Sequence, residues 1–120
     1  ENDVYTYKLN HTYYSYFNVV NYVLTDNGNY RYYTKYLQNM STGTLKNEFE
    51  YVTNKLIELL GVDFNGNSSF DMQEIEDDNW KGRVWRIDDT IIELNFKGKI
   101  YLALYPIEYL KNTKTQQTLK

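Results

Sequence analysis

A chain of 120 residues has room for one compact domain and not two. With 13 basic and 16 acidic residues, a net charge of −3 and no cysteine, it lacks the basic field that draws proteins to nucleic acid, and it excludes disulfides, thiolate zinc sites and cysteine nucleophiles. Leu, Ile, Val and Phe together supply 31 residues, too many for a disordered chain at this charge, so a buried core is expected.

Tyr and Asn each occur 14 times, whereas Ala103 and Pro106 are the only residues of their types. Tyr joins an apolar ring to a polar tip and favours strands and half-buried faces, which tilts the expectation towards β structure. Tyr, Asn, Lys and Ile are also what an AT-rich genome supplies, so the bias by itself assigns no function. No apolar run approaches the roughly 20 residues of a bilayer span. The start at Glu1 is read as the trace of a removed upstream segment, a secretion signal first and a tag second.

In chain order, Val4 to Leu9 alternates as a half-exposed strand, short enough to be an edge. Tyr13 to Thr25 fits both a helical and a twofold period, but Asp26-Asn27-Gly28-Asn29 is a strong turn signal, and Tyr30 to Leu37 is dense in aromatic and β-branched residues. A hairpin around that turn is therefore expected. After the polar break Asn39 to Thr44, in which Thr44 is the expected cap, Leu45, Phe49, Val52, Leu56, Leu59 and Leu60 recur at helical spacing, with Gly61 as the stop.

Val62 to Asn79 reads as a long acidic loop with a turn of helix near Met72 to Ile75. Strands come next at Val84 to Ile87, Thr90 to Phe96 and Ile100 to Tyr105, joined by turns at Asp88-Asp89 and Lys97-Gly98-Lys99. Ile92, Leu94 and Phe96 should share a face with Ile100, Leu102 and Leu104, giving the helical stripe a partner surface. Pro106 should end the last ladder. The expected fold is α+β, an antiparallel sheet with one long helix packed across it, over a single domain at 1–111 and a polar tail at 112–120.

The segment Tyr22 to Leu60, with its hairpin at Asp26-Asn27-Gly28 and its helix ending Leu59-Leu60-Gly61, resembles small bacterial envelope or lipoprotein domains. The later run of Trp85 ahead of Thr90-Ile91-Ile92-x-Leu94, and then Ile100 to Tyr105, resembles them too. These are similar in layout to β-lactamase-inhibitor-protein-like and outer-membrane-assembly lipoproteins. The resemblance implies a domain that binds proteins and does no chemistry.

The residues themselves point the same way. The single histidine, His11, falls between two expected strands and makes no paired metal site, and the scattered glycines form no phosphate loop. Asp71, Glu74, Glu76, Asp77 and Asp78 crowd a loop near Trp80 and Trp85, an acidic patch beside aromatics as in carbohydrate sites. A loop cluster, however, does not supply two carboxylates set across a cleft. Asp63, Asn65, Asn67, Asp71 and Glu74 stand at the first, third, fifth, ninth and twelfth positions of an EF-hand-like calcium loop, but Ser68 occupies the sixth, where the sharp turn requires Gly. A plain Asn-Gly turn competes with that reading. The sequons at Asn10, Asn39 and Asn67 matter only in a eukaryotic secretory pathway.

The sequence thus reads as a non-catalytic, secreted or envelope-associated binding or accessory domain without a cofactor. Its partner is expected to be another protein or an envelope component, with no nucleic acid and no membrane span. The expected contact surface is the outward side of Tyr30, Tyr32, Tyr33 and Tyr36, because Tyr offers large contact area at low entropy cost. The alternative is a cytoplasmic immunity or antitoxin-type protein, a class also small, acidic and free of catalytic groups, with a calcium-binding module behind it.

Overall fold

The computed structural model describes residues 3–35, 42–76, 80, 82–96 and 99–111. Three strands, β1 (Asp3–Tyr13), β2 (Phe17–Thr25) and β3 (Gly28–Thr34), precede helix α1 (Thr42–Leu60) and the short α2 (Gln73–Glu76). Then come β4 (Arg83–Ile87), β5 (Thr90–Phe96), β6 (Ile100–Pro106) and the short α3 (Ile107–Lys111). The strands form one antiparallel sheet of six in the order β1-β2-β3-β6-β5-β4, so the fold is α+β.

The meander after the loop has the expected register: Ile92 faces Leu104, Leu94 faces Leu102 and Phe96 faces Ile100. These side chains meet Phe49, Val52 and Leu56 of α1 in a core that also takes in Val20, Tyr33 and Trp85. Helix α1 ends where Gly61, at φ +83°, donates its N–H to Ile57 O at 2.8 Å, a left-handed position that suits glycine. It begins at Thr42 rather than behind a cap at Thr44, since Thr-Gly-Thr offers several residues fit for a helix start. The buried stripe is rotated towards Thr53 and Ile57, which leaves Leu59 exposed. Thr53 tolerates full burial because its hydroxyl donates to Phe49 O at 2.8 Å.

Three further features depart from the sequence expectation. The first strand runs eleven residues, to Tyr13, with its register against β2 shifting between Lys8 and Tyr13. His11 and Asn10 therefore lie exposed on this strand and not between strands. Second, a tight turn at Tyr14-Ser15 joins β1 to β2, with both residues at positive φ (52° and 58°). Neither residue type advertises that conformation; Tyr13 holds it, packing on Tyr14 at 4.5 Å and stacking on Tyr33 at 4.0 Å between ring centroids. Third, Pro106 closes the last ladder against Thr90, as expected, but the chain continues into α3, which folds back over the sheet face away from α1. The tail at 112–120 lies outside the described residues.

Candidate functional site

Strand alternation sorts the tyrosines. Tyr32 is paired with Ala103, which is paired with Glu93, so these three share the face opposite α1. Tyr33, one residue on, points the other way; it is only 7% exposed and belongs to the core, so it does not lie on the outward surface assigned to it from sequence. Tyr30 does lie on the outward face beside Tyr32, and Tyr36 is outside the described residues.

On that outward face β6 presents Tyr101, Ala103 and Tyr105, so the chain's one alanine makes a low floor between tall neighbours. Tyr30, Tyr32, Tyr101 and Lys99 wall a cavity of about 370 Å³ above it. A second cavity of about 220 Å³ shares Tyr30, Tyr101 and Ala103 and extends to Glu93, Asn95 and Tyr109. The rings meet at angles and not in stacks: Tyr32 and Tyr101 lie 6.3 Å apart at 70°, Tyr30 and Tyr109 5.4 Å apart at 59°.

Glu93 is the carboxylate of this groove. Its Oε1 accepts from the Tyr105 hydroxyl at 2.9 Å and its Oε2 from Asn95 Nδ2 at 3.0 Å, both neutral donors. Burial pushes the Tyr105 and Tyr101 hydroxyls up from the ordinary tyrosine range, and the Glu93 charge adds to both.

The acidic loop is organised for structure. Asp63 is 4% exposed; its Oδ1 accepts from Asn65 N, Asn67 N and Asn67 Nδ2 at 2.8–3.1 Å, and its Oδ2 from Val84 N at 3.0 Å. The left-handed residue of this loop is Gly66, at φ +89°, so the sharp turn comes two residues ahead of the position a calcium loop requires. Glu74 is bound to Arg83 Nη2 at 2.9 Å and takes the Asp71 N–H, while Asp71 accepts from Gln73 N to start α2. The carboxylates of Asp63, Asp71 and Glu74 are thus occupied with donors of the protein's own, and the Asn67 amide is itself one of those donors. Among the described residues, no group of three or more His, Cys, Asp or Glu is placed to hold a metal ion.

Calcium at millimolar concentration is accordingly expected to leave the melting temperature where EDTA leaves it. A rise of several degrees that disappears in Glu74→Gln would show that the loop takes the ion. The two tryptophans are likewise committed to packing: Trp85 is 2% exposed and donates to Gly61 O, and the partly buried Trp80 packs on Phe49 under the Arg83 guanidinium. They make no aromatic wall for the acidic patch, of which Asp77 and Asp78 lie outside the described residues.

Sequence reasoning found Tyr30 and Tyr32 but not Glu93, Tyr101, Ala103, Tyr105 or Tyr109. The signal for four of these was present, since the expected β5–β6 hairpin turns Glu93, Tyr101, Ala103 and Tyr105 outward once Leu94 and Leu102 face the helix. A second aromatic surface was also missed. Tyr5, Tyr7, Tyr22 and Leu24 lie exposed on the helix side of β1 and β2, beyond the ground α1 covers, with Tyr7 and Tyr22 edge to face at 5.8 Å.

Burial pushes the hydroxyls of other tyrosines up too: Tyr13 to about 12, with Tyr14 and Tyr33 adding to it, and Tyr16 upward as well, with Glu48 adding to the effect of burial. A group whose pKa is higher folded than unfolded gives stability that is complete below its unfolded pKa, about 10 for Tyr, and is lost as pH climbs towards the folded value. The denaturation midpoint should therefore hold to about pH 10 and fall between about pH 10 and 12. Part of the 295 nm tyrosinate signal should appear only with unfolding. A midpoint unchanged up to pH 11.5 would contradict this.

The fold and groove define the class as an α+β domain with a six-stranded antiparallel sheet and a helix on one face. Compared with known proteins, the chain matches no family model, no curated protein and no solved structure. No helix of the described residues is long and apolar enough to cross a membrane.

Proposed function

We propose that this protein is a non-catalytic binding domain, secreted or held at the cell envelope, whose ligand docks on the sheet face opposite α1. The observation that supports this most is the tyrosine-walled groove over Ala103, where a concave surface, aromatic walls and a few fixed polar groups coincide. The envelope placement rests on the resemblance of the sequence motifs to those of lipoprotein-like binding domains. Tyr32 and Tyr101 are half-buried, so their rings present contact area at little further entropic cost.

The second reading, an immunity or antitoxin-type partner of another protein, draws on the separate exposed set Tyr5, Tyr7, Tyr22 and Leu24. A mixed fragment library of sugars, peptides and organic ions, screened by NMR on protein with labelled tyrosine rings, separates the two. The groove reading expects hits that perturb Tyr30, Tyr32 and Tyr101 and are lost in Tyr32→Ser. Hits confined to Tyr5, Tyr7 and Tyr22, or none at the groove, would remove its support.

A further inference from the structure

The geometry points to a methylated ammonium group as the ligand of the groove, held between the faces of Tyr30, Tyr32 and Tyr101 with Glu93 supplying the counter-charge. This inference rests on the groove being the docking site, and it names the chemistry that site takes.

The first argument is charge. A ring face carries negative quadrupolar potential, and three half-buried rings line one depression, where a cation that meets their faces gains from each. Glu93, on the neighbouring strand, lines the adjoining cavity of about 220 Å³ and adds a formal negative charge there; its hydrogen-bond partners are a hydroxyl and an amide, so among the described residues it has no cationic partner at hydrogen-bond distance. Glu48 and Glu74, by contrast, are each paired with a base, Lys35 and Arg83.

The second argument separates a methylated cation from a bare ammonium. A lysine-type head needs acceptors for three N–H groups. Each Glu93 oxygen already accepts one hydrogen bond, which leaves the carboxylate at most two of the three acceptor positions such a head requires and, beyond them, its field. A methylated ammonium asks for little else, and its methyl groups gain from apolar ring contact. The floor at Ala103 and a cavity of about 370 Å³ give such a bulky head room that a longer side chain at 103 would fill. Lys99 is exposed on the wall of the same cavity, and its like charge opposes the cation, which gives the electrostatics a second handle of opposite sign.

The test is NMR titration of the whole chain with choline, and in parallel with 3,3-dimethylbutanol, the neutral compound of the same shape. Choline is expected to shift Tyr30, Tyr32 and Tyr101 saturably with Kd of about 1–10 mM, and the neutral compound to bind about tenfold more weakly. Glu93→Gln, which keeps an acceptor for Tyr105, should weaken choline about tenfold, Lys99→Gln should tighten it about twofold, and Ala103→Leu should abolish it. The comparison of the two compounds uses the unaltered protein, and Lys99 is exposed, so neither arm depends on a variant of the interior folding. Equal binding of choline and its neutral counterpart, or insensitivity to both charge changes, would overturn the cation assignment while leaving the groove as a binding site. No response to choline up to 50 mM would overturn it as well, whereas loss of the docking site itself would show as an absence of groove hits from any class of fragment.

Discussion

Leu56→Ala is expected to cost about 2–5 kcal/mol of folding stability, with the melting temperature falling by about 10 °C or more. Leu56 is fully buried at the centre of the α1 stripe, among Phe49 and Val52 of the helix and the inward residues of β5 and β6. Truncation removes the transfer free energy of the lost methyl groups and leaves a cavity that the sheet, fixed by its ladder, cannot close. Leu59→Ala is the control, because Leu59 lies three residues along the same helix yet is 54% exposed. It should change stability by no more than about 0.5 kcal/mol. Urea denaturation of the two variants measures both, and equal losses would show that the helix does not dock through Leu56.

Asp63→Ala should destabilise by about 3 kcal/mol, and Asp63→Asn by roughly half of that. The carboxylate gathers three N–H groups from Asn65 and Asn67 and the Val84 N–H of β4, while Phe64 N donates to Val84 O. Strand β4 is an edge of the sheet, and this loop satisfies the outer N–H and C=O of Val84 in place of a seventh strand. Alanine leaves the Val84 N–H buried without an acceptor, and asparagine keeps one oxygen of the two. Val84 is itself 1% exposed, so water does not readily take over. Amide exchange at Val84, fast in Asp63→Ala and slow in the wild type, is the local measurement. An unchanged Val84 amide would mean that the loop is not what caps this edge.

The same residue shows why spacing alone misleads in a loop. Asp63, Asn67 and Glu74 occupy calcium-loop positions because oxygen-bearing side chains are common in an Asn- and Asp-rich segment. Whether they converge on an ion depends on backbone conformation, and with the left-handed residue at Gly66 the oxygens turn on the loop's own N–H groups. For the tyrosines the difficulty was similar. Tyr30, Tyr32 and Tyr33 are chemically alike, and only the strand's twofold alternation, anchored by a known inward residue, separates Tyr33 in the core from the two at the groove.

Sequence by itself determined the elements whose signals are local: the α1 stripe and its stop at Gly61, the Asp26-Asn27 turn, and the β5–β6 hairpin with its inward row, since each is set by periodicity or turn chemistry within about 20 neighbouring residues. The tertiary structure alone decided that β3 pairs with β6, some 70 residues away, joining the N-terminal hairpins to the C-terminal meander. It also decided that Tyr14 and Ser15 turn left-handed under the Tyr13–Tyr33 stack, and that α3 lays Tyr109 against Tyr30 and Tyr105. The groove belongs to that second group. Its walls, Tyr30 and Tyr32 on one side and Tyr101 on the other, come from β3 and β6, brought together by one long-range ladder, and the free energy that selects this ladder is burial of the opposite face against α1, which no local window of the chain contains.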